Sequence, residues 1–314
     1  MPFRPTLRQL EYIVALTELR HFGKAARRCH VSQPTLSVQV ALVERNLGIT
    51  LFERTPSALV ATPAGERLAR SARLTLAAVD EIVEDVSRDS EALGGFVRLG
   101  TAPTFGPYFL PGFLPGVHRR YPGLRMHIHE DRPASIEAAV AESALDCGLG
   151  PAPERAGLCF RRIGVERVYL GVPADHPLAA RASAPVAALR GERLLALGSG
   201  HRLLANVLQL AEASGAHVVE DYQGTSLDSI RQMVSIGMGC SLFPELYARA
   251  EFRNADDVKL LEIEDRDESR EVGFYWRENS GRRQHYEVLA REAEAVAAVL
   301  AISPQPPAGR PRPA

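Results

Sequence analysis

The stretch His21–Glu44, HFGKAARRCHVSQPTLSVQVALVE, constrains this chain more than any other. It reads as two helices joined by a tight turn. Gly23, Ala25, Ala26 and Cys29 give the first helix a small-residue face on which the second can pack closely. Val31 is apolar and closes the turn. Ser32 can accept the free N–H groups at the start of the second helix, and Pro34 fits its first turn, where no N–H partner is needed. Leu36, Val40 and Val43 recur at helical spacing and face inward. Gln33, Thr35, Ser37 and Gln39 are left pointing outward. Short polar side chains at the N-terminal end of a helix suit the reading of base edges in a major groove. Ser32, Gln33, Pro34, Thr35, Ser37 and Gln39 are therefore the candidate DNA-reading residues.

The flanks favour that reading over an ordinary surface helix pair. Leu7, Leu10, Ile13, Val14 and Leu16 form a preceding amphipathic helix. After the pair, Gly48 ends the helix, and Thr50–Phe52 and Leu59–Ala61 can pair as two short strands around a turn at Pro56–Ser57. This is a winged helix-turn-helix, with Arg54 placed at the start of the wing for a phosphate. Over residues 1–62, eight cations against four anions leave a net +4, although the whole chain is −1. A local positive excess is what phosphate contact requires.

A chain of 314 residues is long enough for two or three domains. With 46% hydrophobic and 24% charged residues, it reads as soluble and globular. No apolar run approaches the ~18 residues of a membrane span. The opening MPFRPTLRQLEY lacks the apolar core of a secretory signal, so the cytoplasm is the expected compartment. The four cysteines, Cys29, Cys147, Cys159 and Cys240, are dispersed, with no CxxC pair and no Cys/His spacing of a zinc site. They read as reduced and mostly buried thiols. His127 and His129 share one strand face, but two histidines without a third ligand favour an exposed strand face over a metal. No GxSxG, Walker A, HExxH or post-strand GxGxxG occurs, which argues against an enzyme. Neither a cofactor nor a metal is expected.

Residues 63–93 continue as one helical pattern started at Thr62 and Pro63, with Leu68, Ala72, Leu76, Val79, Ile82, Val83 and Val86 as an apolar stripe. A helix of about thirty residues is about 45 Å long and has no single-domain core to cover. Pairing with the same helix of a second chain explains it better. Gly94 and Gly95 break it and act as a linker. From Phe96 strand and helix patterns alternate, predicting an α/β domain with a mainly parallel sheet. A final amphipathic helix precedes residues 302–314, ISPQPPAGRPRPA, whose Pro- and Arg-rich composition predicts disorder.

The motifs LRQLEYIVAL, HFGKAARRCHVSQPTLSVQV, LG-TLFER and TPAGE together resemble the DNA-binding domain of LysR-type transcriptional regulators, and the second of them the OxyR-like branch. The resemblance extends to about residue 300. It implies a winged helix-turn-helix over 5–62, a linker and dimerisation helix over 63–93, and a periplasmic-binding-protein-like effector domain over 94–301. That domain would comprise two α/β subdomains, 96–163 plus 271–301 and 168–264. The chain would cross between them near Gly164–Arg167 and Asp265–Glu271. The resemblance further implies a dimer, by analogy a tetramer on DNA, an interrupted palindromic site, and recruitment of RNA polymerase.

A ligand cleft between the subdomains would be lined by strand-to-helix turns. Thr101 and Thr104 lie in TAPT, Ser135 in DRPAS, and Ser199, Gly200, His201 and Arg202 in GSGHR. Thr225 and Ser226 follow in the later GTSLDS turn. Capping of helices by these hydroxyls is the plainer alternative. In OxyR-like proteins the position after this histidine holds the peroxide-reactive cysteine, with a resolving cysteine nine residues on. Here those positions are Arg202 and Ala211, and Pro133 stands where a threonine is expected. An arginine forms neither a sulfenic acid nor a disulfide. The expected effector is therefore a small molecule, and Arg202 beside His201 at a helix N-terminus suits an anionic one, a carboxylate or phosphate. A structural ion pair at Arg202, giving a constitutive regulator, and redox sensing by other cysteines are the alternatives.

Overall fold

The computed structural model describes residues 3–54, 59–86, 93–224, 226–253 and 257–303. The predicted turn at Pro56–Ser57, positions 87–92 of the predicted long helix and residues 304–314 of the predicted tail lie outside the described residues. Two compact units are present, one N-terminal and one beginning at residue 92.

In the N-terminal unit, α1 (Leu7–Leu19), α2 (Phe22–Arg28) and α3 (Gln33–Leu47) precede the strands β1 (Phe52–Arg54) and β2 (Leu59–Ala61) and the helix α4 (Pro63–Val86). Each start is capped by a side chain. Thr6 and Gln9 form a reciprocal capping box on α1. His21 Nδ1 accepts the N–H groups of Gly23 and Lys24 on α2, and Ser32 Oγ accepts that of Thr35 on α3. Leu36, Val40 and Val43 are buried against Ile13, Leu16, Ala25 and Ala26, as their spacing predicts. Gly48 ends α3 in the left-handed conformation. Glu44 Oε1 then accepts the N–H groups of Leu51 and Phe52, fixing the entry to the wing. Gly65 lies so close to the wing that a Cβ there would stand 2.2 Å from Leu51 O. The first turns of α4 bury Ala69 and Ala72, the latter against Leu10 and Val14 of α1, whereas Ile82 farther along is 63% exposed.

The second unit is α/β, but its sheet is mixed rather than mainly parallel. The strands are β3 (Gly95–Thr101), β4 (Leu124–Glu130), β5 (Cys147–Pro151), β6 (Leu158–Pro173), β7 (Ser183–Ala184), β8 (Arg193–Leu197), β9 (His217–Gly224), β10 (Ser241–Pro244), β11 (Val258–Ile263) and β12 (Ser269–Arg277). Their order is β4-β3-β5-β12-β6-β11-β7, with β10 also on β6 and β8-β9 a separate parallel pair. β4, β3 and β5 are parallel. β12 is antiparallel to both β5 and β6, and β6 to β10 and β11. The cause is β6, a single strand of 16 residues running through the predicted crossing and paired along its first half with the returning β12.

The helices are α5 (Gly106–Arg120), α6 (Pro133–Ala141), α7 (Arg202–Ser214), α8 (Leu227–Ser235), α9 (Glu245–Glu251) and α10 (Arg283–Val299). They cover two cores. One gathers Leu99, Phe109, Phe113, Phe274 and Leu289; the other gathers Leu170, Leu195, Leu210, Ile230 and Phe243. β10 passes directly into α9, with Pro244 as the last residue of the strand and the N-cap of the helix. Gly95 already pairs with Leu124 in β3, and Ile302 is buried in the first core with Val165 N–H donating to Ser303 O. Ordered structure thus extends past the predicted start of the tail. Among the described residues, no helix is long and apolar enough to cross a membrane.

Candidate functional site

The first turns of α3 present Ser32, Gln33, Pro34 and Thr35 to solvent. The other two predicted readers are less free. Ser37 is half-buried, and Gln39 is half-buried with its Oε1 accepting from Gln9 Nε2 at 2.9 Å. That bond ties α3 to α1, so Gln39 holds the helix in place. The side chain of Arg54 lies outside the described residues. Sequence reasoning overlooked Val38, which is 63% exposed on the same helix. The signal was available: a β-branched apolar residue off the Leu36–Val40–Val43 stripe has no core to enter. In a major groove such a side chain can meet a thymine methyl.

In the second unit the turns after β3 and β8 and the start of α6 come together. Asp131 N–H donates to Thr101 O, Ala134 N–H to Gly200 O, and Arg132 Nη1 to Ser199 O. DRPAS is not the predicted loop, because α6 starts at Pro133. Ser135 is half-buried in its first turn, and Ser199 is exposed. Thr101 is fully buried and its hydroxyl donates to Leu149 O, so it braces two parallel strands instead of facing a ligand. Thr104 is also committed: its hydroxyl and carbonyl oxygens accept from Arg270 at 3.0 and 2.9 Å. Arg270 in turn donates to Glu166, which also accepts the Leu246 N–H. Burial pushes the Glu166 carboxyl up, and the Arg270 guanidinium pulls against it. Ser226 caps α8 through the Ser229 N–H, the plainer alternative, and Thr225 lies outside the described residues.

His201 and Arg202 open α7. His201 is 8% exposed, and its buried Nδ1 has no hydrogen-bond partner among the described residues. Burial, and then the Arg132 cation, hold its pKa below the usual histidine value, with Asp131 opposing. Arg202 reaches Glu137 of α6 through Nη2 and Glu154 through Nη1, and its buried Nε has no partner among the described residues. Arg202 is thus already paired with two carboxylates, the ion-pair alternative named above, and an anion would have to compete with them. Glu137 is 4% exposed and also accepts the N–H groups of Glu154 and Arg155. α6 packs Ile136 and Val140 with Tyr275 of β12, whereas α7 packs Leu203, Val207 and Leu210 into the second core, so the pair bridges two packing clusters. Ala211 is buried in the second core.

All four thiols are free. Cys29, Cys147 and Cys240 are buried, and burial raises the pKa of each, with Cys240 pushed up to about 12. Cys159 is half-buried. His127 and His129 lie on the exposed face of β4, as predicted, with His127 stacked near Phe96.

Residues 7–66 match the bacterial regulatory helix-turn-helix proteins of the lysR family, and residues 90–298 match the LysR substrate binding domain. The chain is 38% identical over 290 residues to the DNA-binding transcriptional dual regulator OxyR of Escherichia coli K12, covering 92% of this chain and 95% of that protein. It is 34% identical over 285 residues to the hydrogen peroxide-inducible genes activator of Haemophilus influenzae, covering 90% and 94%. Among solved structures, a full-length OxyR cysteine variant from Pseudomonas aeruginosa superposes with a TM-score of 0.76 at 33% identity, covering 93% of this chain and 98% of that one. An OxyR cysteine mutant from Corynebacterium glutamicum gives 0.61 at 30% identity, covering 96% and 98%. These relatives are transcriptional regulators and not enzymes. The chain belongs to the LysR family of DNA-binding transcriptional regulators, among OxyR-like relatives.

Proposed function

We propose that this regulator is switched at the His201–Arg202 junction by a small anionic effector, and not by thiol–disulfide exchange there. The observation that carries the proposal is the Arg202–Glu137 pair, which ties α6 to α7 beside a His201 Nδ1 that has no partner among the described residues. An anion competing with Glu137 and Glu154 for the guanidinium would favour one subdomain arrangement only by its differential affinity for the two. The relatives named as peroxide-inducible activators suggest redox sensing, but Arg202 and Ala211 supply no thiol. In this reading the protein acts in the cytoplasm as a dimer joined by α4 and as a tetramer on DNA. Two α3 helices read an interrupted palindrome, and the subdomain change alters DNA bending and RNA polymerase recruitment.

The test is a footprint of the full chain on its own upstream region, with and without peroxide, reductant and a panel of small carboxylates and phosphate. An unchanged footprint under peroxide, together with a change for one anion that disappears in Arg202→Ala, supports the proposal. A peroxide-dependent footprint that reverts with reductant would overturn it and direct attention to Cys159. A second reading, a constitutive regulator, is favoured by the double neutralisation of Arg202. It predicts a footprint that no anion alters.

A further inference from the structure

Three residues far apart in sequence, His176, Glu192 and Cys240, bring an imidazole nitrogen, a carboxylate oxygen and a thiol sulfur within 4.8 Å of one another. Each is held on a pinned backbone. His176 N–H donates to Pro173 O in the turn after β6, and its carbonyl accepts the Ala179 N–H. Glu192, just before β8, donates to Leu189 O and accepts the His217 N–H. Cys240 is bonded to β8 on both sides, its N–H donating to Arg193 O and its carbonyl accepting the Leu195 N–H, each at 2.8 Å. The residue before it is Gly239, and a Cβ there would stand 2.6 Å from Arg193 O, so only glycine lets the thiol approach β8 this closely. His176 Nε2 and Glu192 Oε1 are 3.3 Å apart, with the thiol buried beneath them.

We propose that His176, Glu192 and Cys240 form a divalent metal site with one open coordination position, best suited to Zn2+. One nitrogen, one oxygen and one sulfur donor match zinc and disfavour Mg2+ and Ca2+, which take oxygen ligands. Zinc bonds of about 2.0–2.3 Å place tetrahedral donors roughly 3–4 Å apart, so the cluster needs to contract by about an ångström. A buried thiol without a cation nearby is inert; a bound metal supplies that cation, and the thiol proton passes to solvent. Glu192 binds as the carboxylate. His176 Nδ1 accepts the Leu178 N–H, which places the ring proton on Nε2 toward Glu192. Metal at Nε2 moves that proton to Nδ1 and gives up the Leu178 bond. That loss makes the site weaker than a closed structural zinc site and therefore exchangeable. The cluster lies at the start of β8 and the Arg202 junction just past its end. The five residues of the strand separate them by about 16 Å. The site is thus distinct from the junction proposed above and does not rest on it.

The experiment is titration of the full, reduced chain with Co2+ followed by Zn2+. The expected result is one metal per chain, with a thiolate-to-cobalt charge-transfer band that Zn2+ abolishes. Cys240→Ser removes the band although Cys29, Cys147 and Cys159 remain. His176→Gln leaves the buried thiol in place and weakens binding by about tenfold or more, the loss that even supporting residues of metal sites produce. It thus separates loss of a ligand from a folding defect. A wild-type chain without the band, or a band that survives Cys240→Ser, overturns the proposal.

Discussion

Arg202 holds two carboxylates of unequal worth. The Glu154 side chain is 76% exposed, and that of Glu137 is 5% exposed. Solvent screens the first pair, so Glu154→Ala is expected to change stability by less than about 1 kcal/mol. Glu137→Ala strips the largely buried guanidinium of its buried partner and leaves two backbone N–H groups without their acceptor, and is expected to cost about 3–5 kcal/mol. Urea denaturation of the two variants separates the cases; equal losses would show that the pair does not bridge α6 and α7 as argued. The neighbouring His201 gives a pH prediction. Its folded pKa is lowered by burial and by Arg132. Above the usual value of about 6.5 the ring is neutral whether folded or not, and the full stability is present. As pH falls through that value the unfolded chain takes up the proton first, so stability is lost until the folded pKa is passed. Thermal midpoints between pH 8 and pH 5 should therefore fall more for wild type than for His201→Gln.

The recognition helix shows what a sequence makes legible at the scale of an element. Ser32, Pro34, Gly48 and the Leu36–Val40–Val43 stripe are local signals, and the structure places each as read. Gln39 reads as free in the sequence because its partner, Gln9, is 30 residues away, and no local pattern announces that bond. Val38 carries no polar group, so nothing in its chemistry marks it as a base reader in the sequence. An exposed valine on this face predicts contact with a thymine methyl, worth about 0.8 kcal/mol, the value of one buried CH2 group. The check replaces each operator thymine in turn by deoxyuridine, which lacks only the methyl. One position per half-site should weaken wild-type binding, and Val38→Ala should be insensitive at that position. Equal sensitivity of the two proteins at every thymine would remove Val38 from the reading face.

For the molecule as a whole, what stayed hidden in the sequence is what depends on long-range pairing. Alternating strand and helix patterns announce an α/β unit, but they do not reveal that β12 returns antiparallel beside β6, which makes the sheet mixed. The convergence of His176, Glu192 and Cys240 was invisible for the same reason, since none of their spacings resembles a metal motif. So was the pair that locks the two long strands together. Arg270 and Glu166 face each other in register where β6 and β12 pass between the two cores, and both are buried. Arg270 also holds the Thr104 turn, and Glu166 the start of α9. Arg270→Ala would strand a fully buried carboxylate, already raised in pKa by burial, and is expected to cost about 3–5 kcal/mol. If the cost arises from the uncompensated charge and not from lost packing, replacing both partners by apolar residues, Glu166→Leu with Arg270→Met, should recover most of it, because buried ion pairs contribute little over well-packed hydrophobic substitutes. Urea midpoints of the single and double variants decide between the two origins: a double variant no more stable than Arg270→Ala would place the cost in packing at the strand crossing.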